Sequence, residues 1–160
     1  MGMDVRVSNC GCYALISSTS VYLFNNYLHL LQENNAESGF LDDHPLDINI
    51  DKYTELERHG LLRTFLITEY AAVVGYCTLL FSPFLHHDSI KNAWVDTIFI
   101  KKPARNLNIF RSVLNSVENI CKEHGVNHLC ISSMPQKSID KLLKRYGFVQ
   151  KEVIFYKELC

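Results

Sequence analysis

The 160-residue chain is 48% hydrophobic and 21% charged, which fits one globular domain with one main core and excludes disordered, collagen-like and low-complexity classes. A formal net charge of −1 gives no global attraction to nucleic acid or to an anionic membrane, so any basic function must be local. No apolar run reaches the roughly 20 residues of a spanning helix and no leader-like start precedes Ser8, so a cytoplasmic protein without a membrane partner is expected.

The six cysteines are scattered, and Cys77, Cys121 and Cys130 lie inside apolar patterns, as reduced thiols in a cytoplasm would. Cys10-Gly11-Cys12 has no second Cys or His pair at finger-like spacing, so no metal site is expected.

Residues 1–20 hold one short apolar piece, Tyr13 to Ile16, and receive no assignment. From Val21 the apolar residues Val21, Phe24, Leu28 and Leu31 repeat at helical spacing behind a capping Ser18 or Ser20. Asn34 to Asp47 reads as a loop, and Ile50 to His59 as a short helix stopped by Gly60. Leu61 to Thr68 and Val73 to Phe81, rich in β-branched and aromatic residues, read as a hairpin. Ser82 to Lys91, with Pro83, His86 and His87, reads as a polar loop.

Trp94 to Ile100 is a strong strand. Simple alternation places Trp94, Asp96, Ile98 and Ile100 on one face and Val95, Thr97 and Phe99 on the other. Arg105 to His124 is the clearest helix, with a stripe of Leu107, Phe110, Leu114, Val117 and Cys121 and a cap at Gly125. Val126 to Ser132 then reads as a strand. Ser138 to Tyr146 reads as a helix facing inward through Ile139, Leu142 and Leu143, and Phe148 to Leu159 as a final strand. The expected fold is a single α/β domain, a mixed sheet flanked by helices, with no repeat and no linker.

Lys101, Lys102 and Arg105 crowd the start of the long helix, where free backbone amides and the helix dipole favour an anion. A phosphate shared among the three cations is one reading, and a solvated basic turn is the other. Asp96 is a candidate general base, against the alternative of a strand carboxylate that caps a bulge or pairs with a neighbour. His86 and His87 are candidates to assist as acid, base or substrate contacts, because imidazole as a class ionises near neutral pH, although exposed loop histidines are commonly just solvated. No Ser-His-Asp elbow or Walker-type loop occurs, which leaves hydrolase and nucleotide-hydrolysing functions unsupported.

Gly75-Tyr76, Pro83 to His87, Val95 to Ile100, Glu123 to Val126, Tyr146-Gly147-Phe148 and Phe155-Tyr156-Lys157 together resemble the GNAT N-acetyltransferases, most closely GNAT-like proteins often encoded by bacteriophages. The resemblance spans about residues 44–159 and implies a GNAT-like acyltransferase fold, acetyl-CoA as cofactor and a primary amine of a protein or small molecule as acceptor. It implies that Arg105, Asn106, Leu107, Asn108 and Ile109 hold the pyrophosphate and that the strand segment Ile98, Phe99 and Ile100 lies along the cofactor. It implies Asp96, helped by His86, for proton handling. Tyr156 and Tyr146 are candidates for protonating the leaving thiolate, with packing and a hydroxyl at the surface as the favoured alternative for Tyr146.

The chain departs from the family pattern at several positions. Asn108 and Phe110 stand where the cofactor loop has small residues, Leu143 where a general-acid Tyr is frequent, and Trp94 where the phage-type relatives carry His. These departures support an alternative: a catalytically silent GNAT-fold protein that binds a host protein. Oligomeric state is left open, a homodimer among the alternatives.

Overall fold

The long central hairpin organises the molecule. The computed structural model describes residues 5–7, 12–38, 44–133, 139–155, 157 and 159. Six strands run in chain order across one sheet: β1 (Val5–Val7), β2 (Tyr13–Ser18), β3 (Leu62–Glu69), β4 (Ala72–Phe84), β5 (His87–Ile100) and β6 (His128–Ile131). Neighbours from β1 to β5 are antiparallel, and β5 with β6 is the one parallel pair. Helix α3 (Leu107–Glu123) makes the crossover to β6, because parallel neighbours cannot be joined by a tight turn.

One sheet face is covered by α3, whose Ile109, Val113, Val117, Ile120 and Cys121 pack with Phe65, Ile67, Cys77, Leu79, Val95 and Ile100. The opposite face carries α1 (Ser20–Ser38) and α2 (Ile50–Arg58), with Leu23, Phe24, Leu30 and Leu31 against Leu66, Tyr76 and Phe99. Burial has raised the Cys77 and Cys121 thiols, the latter to about 11, so both act as small apolar groups.

Several expectations are corrected. Tyr13 to Ile16 belongs to β2, which pairs along its length with β3. Helix α1 runs on to Ser38 instead of giving way to a loop at Asn34. Its last turns gain tertiary bonds: Asn34 donates to the Tyr76 hydroxyl (2.9 Å) and Glu37 pairs with Arg105. Ser82 to Lys91 is mostly strand, with only Leu85 and His86 in the turn. Pro83 is accommodated because β4 has run past the end of β3 there, so its missing N–H breaks no ladder on that side.

The inward stripe of α3 is centred on Ile109, Val113, Leu114, Val117 and Ile120, while Leu107 is exposed and Phe110 half-buried. A helix that begins at Leu107 presents its first residue outward, and only from Ile109 does it lie over the sheet. Residues 148–155, read as part of a final strand, form no strand; nor do Lys157 and Leu159. Among the described residues no helix is long and apolar enough to cross a membrane.

The largest correction concerns β5. Thr78 pairs with Thr97 and Leu79 with Val95, so Asp96 is the extra residue of a bulge. An inserted residue resets the two-residue period. Val95, Ile98 and Ile100 therefore share the α3 face, while Asp96 lies with Thr78 and Phe99 on the α1/α2 side.

Three backbone positions are sensitive. A side chain on Gly75 would run into the Phe99 carbonyl of the neighbouring strand, whereas Tyr70 and Ala71, the two turn residues between β3 and β4, both hold positive φ (47° and 68°). Non-glycine residues there carry a cost of about 1 kcal/mol or more each. Opposite signs are expected in urea unfolding: Ala71→Gly stabilises by roughly 1 kcal/mol, while Gly75→Ala destabilises by about 2 kcal/mol or more. A neutral Gly75→Ala would remove the close-approach argument.

Candidate active site

The ladder between β5 and β6 starts at Asn92–His128 and ends at Val95–Ile131, yet β5 continues to Ile100. From Asp96 onward β5 has a strand on only one side, β4, among the described residues. The backbone groups of Asp96 to Ile100 that point away from β4 thus lie at a gap in the described pairing, which begins at the bulge. A short 3-10 turn, Lys102–Ala104 with Pro103 near its start, then leads into α3. The helix start and the gap are consequently neighbours along the chain.

Asp96 is exposed and accepts from the Thr78 hydroxyl at 3.0 Å and from the Thr97 hydroxyl at 3.4 Å. Its charge reaches two phenols on the same side of the sheet. Burial first, and then electrostatic repulsion from Asp96, raises the Tyr53 pKa. Tyr76 is pushed up to about 12, chiefly by burial and against the Asn34 hydrogen bond, with smaller contributions from Tyr53 and Asp96. Both phenols stay protonated at neutral pH. Asp96 is thus a bulge carboxylate that is held by two hydroxyls and exposed to solvent.

Further from Asp96 on the same face, Glu57 of α2 accepts on one oxygen from the Ser20 amide (2.9 Å), the Ser20 hydroxyl (2.7 Å) and the Thr64 hydroxyl (2.7 Å). Ser20 and Thr64 are buried. This knot fastens the start of α1 and the end of α2 to β3, and nothing in the sequence periodicity announced it.

The basic helix start is answered from within. Arg105 donates from Nε to the Ile100 carbonyl (2.6 Å), pairs with Glu37 at 2.7 Å and lies over the Phe99 ring, 5.6 Å from its centroid. Lys102 reaches the same Glu37 at 3.8 Å. The anion that two of the three cations share is therefore a carboxylate of α1. Asn106 caps the helix, its side-chain oxygen accepting from the Asn108 amide (2.9 Å) and the Ile109 amide (3.0 Å).

The amides expected to face a phosphate are thus held by a neutral acceptor. Losing a cap costs about 1 kcal/mol, and an ionised acceptor makes hydrogen bonds roughly twice as strong as a neutral one. Any phosphate at those amides has to take the place of the Asn106 side chain. The Phe110 ring sits beside Tyr146, 6.3 Å between centroids, and Arg111 donates to the Tyr146 hydroxyl at 3.4 Å.

His86 is not brought to this place. It sits in the turn at the far end of β5, on the order of 30 Å from Asp96 at about 3.3 Å per strand residue. Strands replace the expected loop, and a strand carries His86 away where a loop would have allowed it to fold back. Tyr156 lies outside the described residues. The described residues contain no His, Cys, Asp and Glu grouping able to hold a metal ion.

At the level of sequence, no protein-family model matches the chain and no curated protein matches it. Solved structures do. An acetyltransferase from Trypanosoma brucei is similar over 92% of this chain and 99% of its own, with 14% identity and a TM-score of 0.70. An aminoglycoside acetyltransferase from an uncultured soil metagenomic sample, solved with sisomicin, is similar over 94% and 99%, with 11% identity and a TM-score of 0.73. The structure of AAC(6')-Iy in complex with the bisubstrate analogue CoA-S-monomethyl-acetylneamine is similar over all of both chains, with 18% identity and a TM-score of 0.66. The chain has the GNAT acetyltransferase fold.

Asn106→Ala is expected to lower stability by about 1 kcal/mol in urea unfolding, since two amides lose their acceptor together. An unchanged midpoint would show that this cap contributes nothing.

Proposed function

We propose that this protein transfers an acetyl group from acetyl-CoA to a primary amine by direct attack within a ternary complex. The observation that carries the reading is the end of the β5–β6 ladder at Val95–Ile131, which leaves Asp96 to Ile100 bordering a gap beside the start of α3. Acetyl-CoA, when bound, supplies the acyl group as a thioester. The free strand edge at Ile98, Phe99 and Ile100 offers backbone groups to an extended ligand and N–H donors for a polarised carbonyl. The amides of Asn108 and Ile109, once Asn106 yields them, hold the pyrophosphate, and Arg105, Lys101 and Lys102 supply positive charge around it.

Asp96 takes the proton of the acceptor's ammonium group, directly or through a water, so that a neutral amine attacks. Its exposure and its two hydroxyl donors suit a base that must meet a substrate from outside. His86 stands too far along β5 to share this task in the arrangement described. Tyr156 remains the candidate for returning a proton to the thiolate, with Tyr146 beside Phe110 as the other. The neighbours solved with sisomicin and with an acetylneamine analogue support an amine acceptor by likeness of fold. Fold alone does not select it.

A second reading is favoured by the contacts at the helix start. Glu37 on Arg105 and Lys102, and Asn106 on the first amides, are what a GNAT scaffold would show after cofactor binding was lost. In that case the chain is a silent binding protein, of the kind its likeness to phage-encoded members suggests, directed at a host factor.

Calorimetry with acetyl-CoA separates the two. The acyltransferase reading expects a Kd on the order of 10 μM or tighter, near −7 kcal/mol. No heat at millimolar acetyl-CoA would leave only the silent reading. With an amine acceptor in hand, Asp96→Asn is expected to lower kcat by about 10²- to 10⁴-fold with little change in acetyl-CoA affinity. Undiminished turnover in that variant would take the proton role from Asp96.

A further inference from the structure

The last two turns of α1 are helical against their own sequence. From Gln32 to Ser38 there is no large apolar side chain, and none of these residues is buried. Asn34, Asn35 and Ser38 are of types that favour caps and turns over helix interiors. Glu33 and Glu37 lie toward the negative end of the helix dipole, with no basic residue in the last turn to offset them. Support from the first half of the helix is interrupted as well. Tyr27 leaves the helical conformation (φ −136°, ψ 30°), next to an Asn26 side chain that donates to the Tyr22 carbonyl of the helix ladder at 2.9 Å. Burial against the sheet stops at Leu30 and Leu31. Beyond Leu31, helical order therefore depends on polar tertiary contacts.

Those contacts converge on Arg105. Glu37 pairs with Arg105 at 2.7 Å and with Lys102 at 3.8 Å. Asn34 donates to the Tyr76 hydroxyl, and the Tyr76 ring lies 6.0 Å from that of Phe99, the ring under the Arg105 guanidinium. We infer that residues 32–38 form a strap that is helical while Arg105 holds Glu37, and that a phosphate-bearing ligand taking Arg105 at the start of α3 releases it. Glu37 is then a built-in competitor, because carboxylate and phosphate compete for the same guanidinium. Binding at the helix start and order at the end of α1 oppose one another. The ligand half of this inference rests on the acetyl-CoA reading above, whereas the strap itself rests on contacts in the free protein.

Amide hydrogen exchange and calorimetry on the wild type and Glu37→Gln test it. Glutamine is an equally good helix former and removes a charge from the unfavourable end of the dipole, so local propensity alone predicts slower exchange at residues 34–38 of the variant. The strap predicts the reverse: exchange there about 5-fold faster without ligand, residues 23–26 unchanged, and coenzyme A bound about 5-fold more tightly than by the wild type. Saturating coenzyme A is expected to speed exchange over the same residues of the wild type. Unchanged or slower exchange in the ligand-free variant overturns the inference, as does equal coenzyme A affinity in the two proteins or a strap that stays protected with coenzyme A bound. If neither protein binds coenzyme A, the acyltransferase reading falls and release by ligand falls with it, while faster exchange in the variant still upholds the Glu37 strap.

Discussion

One extra residue in one strand sets the geometry of this site. Because Asp96 bulges from β5, Val95, Ile98 and Ile100 fall on the α3 face, while the carboxylate turns to the side of α1 and α2. Without the bulge, strict alternation would bury a carboxylate with Ile98 and Ile100 against α3, an arrangement with a large desolvation cost. The parallel ladder to β6 also stops at this point, one residue before the bulge. Local twist rises at a bulge, and beyond it β5 pairs with β4 alone among the described residues. The same irregularity thus exposes a carboxylate and precedes a strand edge that has no second partner among the described residues and leads through the Lys102–Ala104 turn to a helix start.

That helix start is balanced rather than empty. Asn106, Glu37, the Ile100 carbonyl and the Phe99 ring together satisfy the groups that a phosphate would need. Each is a modest interaction, and none is irreplaceable: a neutral cap yields to a dianion, and an ion pair at a partly exposed arginine is screened. The arrangement is therefore compatible with a ligand that pays for displacement through several charge-assisted bonds at once. It is equally what stabilises the loop when nothing is bound.

The sequence made the regular parts legible. Helical spacing with a cap at Gly125 located α3, and β-branched runs around a short turn located the β3–β4 hairpin. The misses arise where contacts made only in the fold override the local pattern. Asn34 and Glu37 extend α1 only because Tyr76 and Arg105 meet them. Ser82 to Lys91 looks polar in isolation but is held as two strands by its own cross-strand ladder. The facing of Ile98 and Ile100 was misread because a bulge leaves no mark in a periodic pattern. Of the site, Asp96 and the helix start were visible as residue types, whereas the separation of His86 and the self-capping by Asn106 required the fold.

The central claim is that the edge of β5 beyond the bulge and the first turn of α3 form one ligand-binding surface. Backbone amide spectra recorded during titration with coenzyme A test it most directly. The account predicts saturable shifts confined to Asp96 to Ile100 and Leu107 to Ile109, with release of the Asn108 and Ile109 amides from Asn106. Shifts absent from both segments at saturating ligand would contradict it, leaving a GNAT scaffold without the site argued for it.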